Sequence, residues 1–481
     1  MTRRRFHSPS SGSRHAGHGA PRGRRIGQPR TPEDNVRTLA AWVVERTLDS
    51  LSPSSVFLES ALERCDELDH GLLRELALGT LRWLRRLDHV IAAASHRDFE
   101  AIEPALRAPL RIGAYQLLFL DRVPAHAAVH EAVEHAHRAT HRGGASFTNA
   151  VLRRIARDPR LAAWSVRERD PVRRLAIEQS HPDFLVERWV ERLGMERTRA
   201  LLEANNRPKA LQVLAFLDRG GRELLAEALI DDGVEVEPSS LSPLGLIVRA
   251  GNPLHGAAYH RGDLYLQDEA SQAAALIPPP RPGERVLDAA AAPGGKGFTL
   301  QAVEPSIELV AADVAPARVG LLRRNQRRLG RVVPTLLADA ALPPLGGHFD
   351  RVILDLPCTG TGTLRKNPEL KWRIRASEIG RLARQAERLL DGMVPVVRPG
   401  GLLVAITCSL EPEENEDVVA RFCRRHPEMV PVDLEGALDW PHRDFVGGPG
   451  AWRIFPDGDH DGFTVHVLRR IDAPLTSETP S

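Results

Sequence analysis

The carboxyl-terminal half of this 481-residue chain alternates short apolar runs with helical stretches, beginning near Arg285. Such alternation is typical of βαβ units, whose strands pair into a parallel sheet that helices cover on both faces. We therefore predict a doubly wound, Rossmann-like α/β domain. The predicted strands are residues 286–287, 309–312, 333–337, 351–354 and 402–406.

Two cysteines follow two of these strands at the point where each strand ends. The strand ending at Leu354 is followed by Asp355 and Cys358, and the strand ending at Ile406 is followed by Cys408. Ligands of open α/β sheets bind outside the carboxyl ends of the strands. A single free cysteine is usually an inert buried thiol. Two thiols at equivalent strand ends, one beside a carboxylate, instead indicate a reactive site.

The loop after the first strand, residues 288–296, is predicted to hold a cofactor, because its two consecutive glycines let the backbone approach a ligand closely. It is not a phosphate-binding P-loop, since Ala290 stands where that motif needs glycine and Gly297 where it needs Ser or Thr. The glycine fingerprint of dinucleotide-binding sites is also missing.

Two acids behind the next strands complete the predicted cofactor site. Asp313 ends the second strand, where an acid suits a ribose diol, and Asp339 follows the third, where it suits an adenine amino group. A ribose-and-adenine ligand without a phosphate loop indicates S-adenosylmethionine. The predicted cofactor-binding residues are Ala290, Ala291, Ala292, Pro293, Gly294, Gly295, Lys296, Asp313, Asp339 and Asp355.

The amino-terminal half has helical periodicity, including one apolar stripe over residues 72–87. The histidines within residues 126–137 do not fit the H-E-x-x-H zinc template, so we predict no metal site. The period changes near Leu211, where a small α/β unit begins. The predicted parts are a disordered basic tail at 1–32, a helical domain at 33–160, a helical connector with a small α/β domain at 161–281, a catalytic domain at 282–472 and a tail at 473–481.

Charge is distributed unevenly along the chain. Residues 1–31 hold eight arginines and no acid, which leaves 57 basic against 63 acidic residues in the remainder. Any nucleic-acid surface on the folded body must therefore be a local patch. The predicted patch is a run of arginines on one helix: Arg323, Arg324, Arg327 and Arg328.

Lysine is scarce, and three of the four lysines, Lys296, Lys366 and Lys371, lie in the predicted catalytic domain. Where arginine normally fills cationic positions, a retained lysine suggests a need for a compact ammonium group. Four scattered cysteines do not suggest a disulfide framework. With no apolar run of membrane-spanning length and no signal-peptide core, we expect a cytoplasmic protein without a membrane partner.

Taken together, these motifs resemble those of the RNA cytosine-C5 methyltransferases. The family's D-x-C-A-A-P-G-G-K loop resembles residues 288–296, its D-x-P-C-[ST]-G-x-G motif resembles residues 355–362, and its T-C-S motif resembles residues 407–409. Residues 35–160 separately resemble the helical fold of the antitermination factor NusB. That pairing is similar to the bacterial 16S ribosomal RNA methyltransferases of the RsmB (Sun) type. Two positions depart from the family's pattern: Ala290 replaces its loop cysteine, and Gly297 replaces a usual Ser or Thr.

The resemblance implies a role for each candidate catalytic residue. Cys408 would add to C6 of cytosine, Asp355 would hydrogen-bond the cytosine edge, and Cys358 would assist product release. DNA cytosine methyltransferases use the thiol of the Pro-Cys motif as the nucleophile instead. S-adenosylmethionine is the implied cofactor, and a monomer acting on ribosomal RNA is expected. The alternatives are a transfer RNA cytosine-C5 methyltransferase and a non-catalytic RNA-binding or antitermination factor.

Overall fold

The computed structural model describes residues 35–50, 52–158, 161, 166, 168–346, 349–434 and 450–472. The predicted tails at 1–32 and 473–481 lie outside these ranges. Within them, no helix is both long and apolar enough to cross a membrane.

Seven helices form the amino-terminal domain, and their apolar stripes bury one shared core. They are α1 (Val36–Asp49), α2 (Ser54–Leu62), α3 (His70–Arg82), α4 (Leu84–Ser95), α5 (Pro104–Phe119), α6 (Ala125–Ala139) and α7 (Arg142–Arg157). The stripe at 72–87 was predicted as continuous, but the chain leaves helical geometry at Trp83. The break lets both helices face the same core, where Trp83 stacks on Phe119 at 4.9 Å between ring centroids.

A helical connector leads to a small four-stranded antiparallel sheet with the strand order β2-β3-β1-β4. The elements are α8 (Pro171–Glu178), α9 (Asp183–Asn206), β1 (Gln212–Ala215), α10 (Gly221–Asp231), β2 (Glu235–Pro238), β3 (Gly245–Ala250), α11 (Ala257–Arg261), β4 (Leu264–Leu266) and α12 (Glu269–Ala275). The prediction of strands near 211–216 and 245–248 around a helix is confirmed. Strand β2 was not predicted, because three of its four residues are Glu, Glu and Pro.

The carboxyl-terminal domain is built on the predicted parallel sheet, with strands in the order β7-β6-β5-β8-β9. Strands β12, β10 and β11 extend it beyond β9 in antiparallel pairings, so the sheet is mixed. The elements are β5 (Arg285–Asp288), α13 (Gly295–Val303), β6 (Glu308–Asp313), α14 (Pro316–Leu329), β7 (Thr335–Leu337), β8 (Phe349–Asp355), α15 (Leu370–Arg373), α16 (Ala376–Met393), β9 (Val397–Thr407), α17 (Glu416–Arg425), β10 (Met429–Pro431), β11 (Ala451–Ile454) and β12 (Phe463–Arg470).

Residues 397–401 precede the predicted strand at 402–406. They form the first part of β9, where the pairing with β8 shifts register between Phe349 and Arg351. Gly400 has φ +79, which glycine adopts readily, and it accommodates the irregularity inside the strand. After the shift, β8 and β9 pair regularly up to Asp355 and Ile406, which brings the two thiol loops to the same sheet edge.

Residues 369–373, the junction segment, join the catalytic domain to the helical half. The Lys371 ammonium nitrogen is fully buried and lies within hydrogen-bond distance of Asn206 Oδ1 (2.6 Å) and the carbonyls of Arg82 and Ser180. Trp372 Nε1 donates to the Leu81 carbonyl at 2.7 Å. These hydrogen bonds, to three backbone carbonyls and one side-chain amide, join the catalytic domain to the helical half.

Candidate active site

A cavity of about 250 Å³ opens at the carboxyl ends of β5, β8 and β9. The cofactor loop, the end of β8 and the turn after β9 form one side of it, and the small sheet's β4 region forms the other. Its lining is Tyr265, Leu266, Gln267, Asp268, Ser271, Asp288, Ala290, Ala291, Ala292, Pro293, Gly295, Lys296, Asp355, Thr363, Lys366, Asn367, Cys408, Asp461 and Phe463.

The two predicted thiols lie side by side, with 3.4 Å between Cys358 Sγ and Cys408 Sγ. Gly362 makes this approach feasible, because its N–H donates to the Cys408 carbonyl at 2.9 Å and a Cβ there would lie only 2.4 Å from the Gly462 carbonyl. The hydrogen bond to Cys408 and burial raise the pKa of the Cys358 thiol well above its usual value. Cys358 is therefore a protonated thiol at neutral pH, while Cys408 lines the cavity.

Lys296 and Asp355 form an ion pair at the floor of the cavity, with Nζ 2.6 Å from Oδ2. Burial acts to lower the pKa of Lys296, but the charges of Asp355 and Asp288 outweigh it, so the pKa is raised. The ammonium also lies 5.5 Å from the centre of the Phe463 ring. The pair provides a fixed cation and a hydrogen-bond acceptor beside the thiols.

Asp288 lies under the cofactor loop and accepts a hydrogen bond from Gly297 N at 3.1 Å. Burial raises the pKa of its carboxyl group to about 7, although Lys296 acts in the opposite direction. A Cβ at Gly297 would lie 3.0 Å from a methyl of Leu309 and 3.2 Å from Asp288 Oδ2. This close packing leaves little room for a side chain at position 297, where the family that the chain resembles usually has Ser or Thr.

The loop's form fits an adenosyl cofactor. Ala290, Ala291, Ala292, Pro293 and Gly295 present small side chains or none to the cavity, and a Cβ at Gly295 would crowd Gln267 at 3.2 Å. Space for a ligand next to the thiols therefore depends on these small residues.

Three members of the predicted cofactor set do not line this cavity: Gly294, Asp313 and Asp339. Asp313 is buried and accepts from Ala292 N and Ala315 N at 3.2 and 3.0 Å, so it holds the cofactor loop against the end of β6. Asp339 is exposed and accepts from Ala341 N. Direct contact of either acid with the cofactor stays a prediction.

One charged group in the cavity wall was not found from the sequence. Lys209 pairs with Asp268 at 2.5 Å and with Asp461. Burial and the neighbouring Asp268 raise the pKa of Asp461. Lys209 belongs to the connector and Asp461 to the last loop, so no local sequence pattern connects them.

The predicted arginine patch on α14 is only partly available to a ligand. Arg323, Arg324 and Arg327 are exposed. Arg328 instead donates to the carbonyls of Tyr259 and Leu264 and lies over the Tyr259 ring at 4.3 Å. Its guanidinium is used to hold α14 against the small domain, which corrects its assignment to the patch.

Comparison with known proteins identifies the family. The model of the 16S rRNA methyltransferase RsmB/F family matches residues 275–469, the NusB family matches residues 34–157, and the ferredoxin-like domain of RsmF/B-like methyltransferases matches residues 181–255. A probable ribosomal RNA small subunit methyltransferase B of Bacillus subtilis is 31% identical over 445 residues, covering 91% of this chain and 99% of that protein. The chain belongs to the RsmB/F family.

Two further matches cover nearly the whole chain. Ribosomal RNA small subunit methyltransferase B of Pseudomonas putida is 33% identical over 446 residues, covering 91% of this chain and 99% of that protein. The crystal structure of the protein PH0851 superposes with a TM-score of 0.74 at 26% identity, covering 92% of this chain and 100% of that one. As an RsmB/F family member, the chain is an S-adenosylmethionine-dependent RNA methyltransferase with a NusB-like domain, which confirms the predicted fold class, activity and cofactor.

Proposed function

We propose that this RsmB/F family member methylates C5 of a cytosine in 16S ribosomal RNA, with Cys408 as the nucleophile. One observation carries the assignment: two thiols 3.4 Å apart share an edge with the Lys296–Asp355 ion pair, and Cys408 is the thiol that lines the cavity. Bound S-adenosylmethionine supplies an electrophilic methyl group. The residues of the chain must supply everything else.

Cytosine C5 is a weak nucleophile, and addition of a thiolate to C6 makes it enamine-like. Cys408 Sγ forms the bond to C6, next to the Lys296–Asp355 ion pair. Asp355 accepts hydrogen bonds from the cytosine edge while Lys296 fixes its orientation. The target base must be unpaired or extruded to reach the cavity.

The second half of the reaction reverses the addition. The proton on C5 passes to water, the electron pair of the C5–H bond restores the C5–C6 double bond, and the C6–S bond breaks with its electron pair leaving on the Cys408 sulfur as a thiolate. Cys358 is assigned to this release step, because its sulfur touches Cys408 and its thiol stays protonated at neutral pH. A thiol in contact with the leaving sulfur can return a proton to it.

The proposal extends to the rest of the chain. The division at 33–160, 161–281 and 282–472 fits the three matched family regions, and the helical half is assigned to positioning the RNA. The protein is proposed to act in the cytoplasm as a monomer without a metal ion. The relatives named above are ribosomal RNA methyltransferases, which favours ribosomal over transfer RNA.

Single substitutions of the two thiols test these roles. Cys408→Ala should abolish methyl transfer and form no covalent complex with RNA, since no sulfur remains to attack C6. Cys358→Ala should still attack and methylate but release slowly, so a protein–RNA adduct should accumulate as a retarded band on a denaturing gel. Bisulfite sequencing of ribosomal and transfer RNA from a deletion strain identifies the substrate.

The double substitution is the control and should give no adduct. Equal loss of activity in both single variants would indicate that the thiols only fill space. An adduct in Cys408→Ala and none in Cys358→Ala would reverse the roles and indicate the DNA-type mechanism.

A further inference from the structure

A buried carboxylate supports the loop that carries Cys358. Glu414 Oε1 accepts from Thr359 N at 2.9 Å, and Oε2 accepts from Thr359 Oγ1 at 2.7 Å. Thr359 is the residue directly after Cys358, and Glu414 is only 1% exposed. Both oxygens thus bond the backbone and hydroxyl of the residue that follows Cys358, and the carboxyl group also bonds the side chain of Ser409, which follows Cys408.

The next residue along the chain does the same for the other thiol. Asn415 Oδ1 accepts from Thr407 Oγ1 at 2.5 Å, and its Nδ2 donates to the Ser409 carbonyl at 3.1 Å. Thr407 and Ser409 are the two neighbours of Cys408 in the sequence. Asn415 is also 1% exposed, so water cannot readily replace these bonds.

We propose that Glu414 and Asn415 are positioning residues that differ in the thiol they chiefly serve: Glu414, with two bonds to Thr359, for release at Cys358, and Asn415, with bonds to both neighbours of Cys408, for attack by Cys408. The inference rests on the proposed roles of the two thiols. Because the two side chains are adjacent in the sequence, a single rigid segment sets the placement of both sulfurs. Productive covalent chemistry requires such placement to within fractions of an ångström.

Other contacts keep the two thiol loops together when either side chain is removed. Gly362 N donates to the Cys408 carbonyl at 2.9 Å, and Leu410 N donates to Thr361 Oγ1 at 2.9 Å. The site should therefore persist in each variant, with most of the misplacement at one thiol. A purely structural role would instead impair both half-reactions equally.

The test uses full-length enzyme, 16S ribosomal RNA and S-adenosylmethionine, with adduct followed on denaturing gels. Glu414→Ala should form adduct at close to the normal rate and accumulate roughly tenfold more of it than the unmodified enzyme, because release is slowed far more than attack. Asn415→Ala should form adduct at least about tenfold more slowly and accumulate none. The two adjacent substitutions should thus have opposite signatures.

Conservative and neighbouring substitutions serve as controls. Glu414→Gln should turn over the adduct almost normally, since its amide oxygen accepts from Thr359 N and its amide nitrogen donates to Thr359 Oγ1. Glu413→Gln changes the adjacent acid, which pairs with Arg188 on α9, and should leave adduct levels unchanged. Thr359→Val removes only the hydroxyl donor and should accumulate intermediate adduct, which keeps the test open if Glu414→Ala does not fold.

Two results would overturn the inference. The first is that Cys358→Ala accumulates adduct while Glu414→Ala and Thr359→Val show no excess. The second is that Glu414→Ala and Asn415→Ala each slow attack and release equally. Absence of adduct in Cys358→Ala itself would be a different failure, because it would remove the proposed release role of that thiol.

Discussion

Two buried lysines of the same domain are held in opposite ways. Lys296 lies at the sheet edge with Asp355 and Asp288 around it, and their charges raise its pKa despite burial. Lys371 lies at the junction with the helical half, where its hydrogen-bond partners are neutral, and burial together with Arg82 lowers its pKa well below the usual value. Carboxylate partners thus raise the pKa of the lysine in the active site, whereas burial among uncharged acceptors lowers the pKa of the lysine at the junction.

The comparison teaches that burial alone does not mark a catalytic lysine. Both side chains are buried, and both are among the few lysines of an arginine-rich chain. What differs is the charge of the partners. Lys296 has a carboxylate partner at a strand end and is proposed to serve the chemistry, whereas Lys371 lies among uncharged acceptors and joins two parts of the fold.

Lys296→Met should have the largest effect on activity. The change removes the cation beside Cys408 and releases Asp355 from its fixed orientation, so kcat should fall about 100-fold or more, as for loss of one oriented donor in other enzymes. Methyl incorporation into RNA measures it, and circular dichroism should show the fold retained. Activity within threefold of the unmodified enzyme would place Lys296 outside the chemistry.

Asp313→Ala should have an intermediate effect, because this buried charge supports the cofactor loop through Ala292 N. Loss of one charge-assisted hydrogen bond of about 1.5 kcal/mol corresponds to roughly tenfold weaker binding of S-adenosylmethionine. Calorimetry on the folded variant measures the affinity. Unchanged affinity would show that the loop keeps its form without this acid.

Lys371→Met should change stability and leave chemistry nearly intact. Asn206 and two carbonyls would lose their donor, so unfolding free energy should drop by about 1–3 kcal/mol. Urea unfolding measures the loss, and kcat at saturating substrate should stay within threefold. A large fall in kcat without a change in stability would contradict the division between the two lysines.

The smallest expected effect is on the pH dependence of stability. Between the lowered pKa of folded Lys371 and the ordinary value of 10.5, the unfolded chain binds a proton that the folded chain does not, so stability should rise with pH. Unfolding free energies at pH 7, 8 and 9 should diverge between the unmodified protein and Lys371→Met, by at most about 1.4 kcal/mol per pH unit. Lys296 should not contribute to this difference. The stability that its raised pKa provides is fully present below pH 10.5 and is lost only at higher pH. A constant difference between the two proteins would mean that Lys371 stays charged in the fold.

Local patterns in the sequence were sufficient to predict the parallel sheet, the helical domain and the residues at the strand ends. Apolar periodicity decides these elements, and parallel pairing then requires Asp355, Cys358 and Cys408 to meet at one edge. The break at Trp83, the irregular start of β9 and the Lys209–Asp461 pair were not predicted. Each depends on contacts between segments far apart in the chain, about which local periodicity carries no information.

The lack of information about distant contacts also explains why Arg328 was wrongly assigned to the RNA-binding patch. A run of basic residues on one helix predicts a charged face, but only tertiary packing shows that Arg328 bonds the small domain through Tyr259 and Leu264. Glu414 and Asn415 lie in an acidic stretch of the sequence, and no local pattern there predicts their contacts with the two thiol loops.

The junction also has a consequence for the order of synthesis. The partners of Lys371 lie 289, 191 and 165 residues earlier in the chain, in segments that leave the ribosome long before it does. Amino-terminal domains generally fold first during translation. The carbonyls of Arg82 and Ser180 and the Asn206 side chain therefore lack this partner until Lys371 emerges, so the junction can close only after about three quarters of the chain has been made.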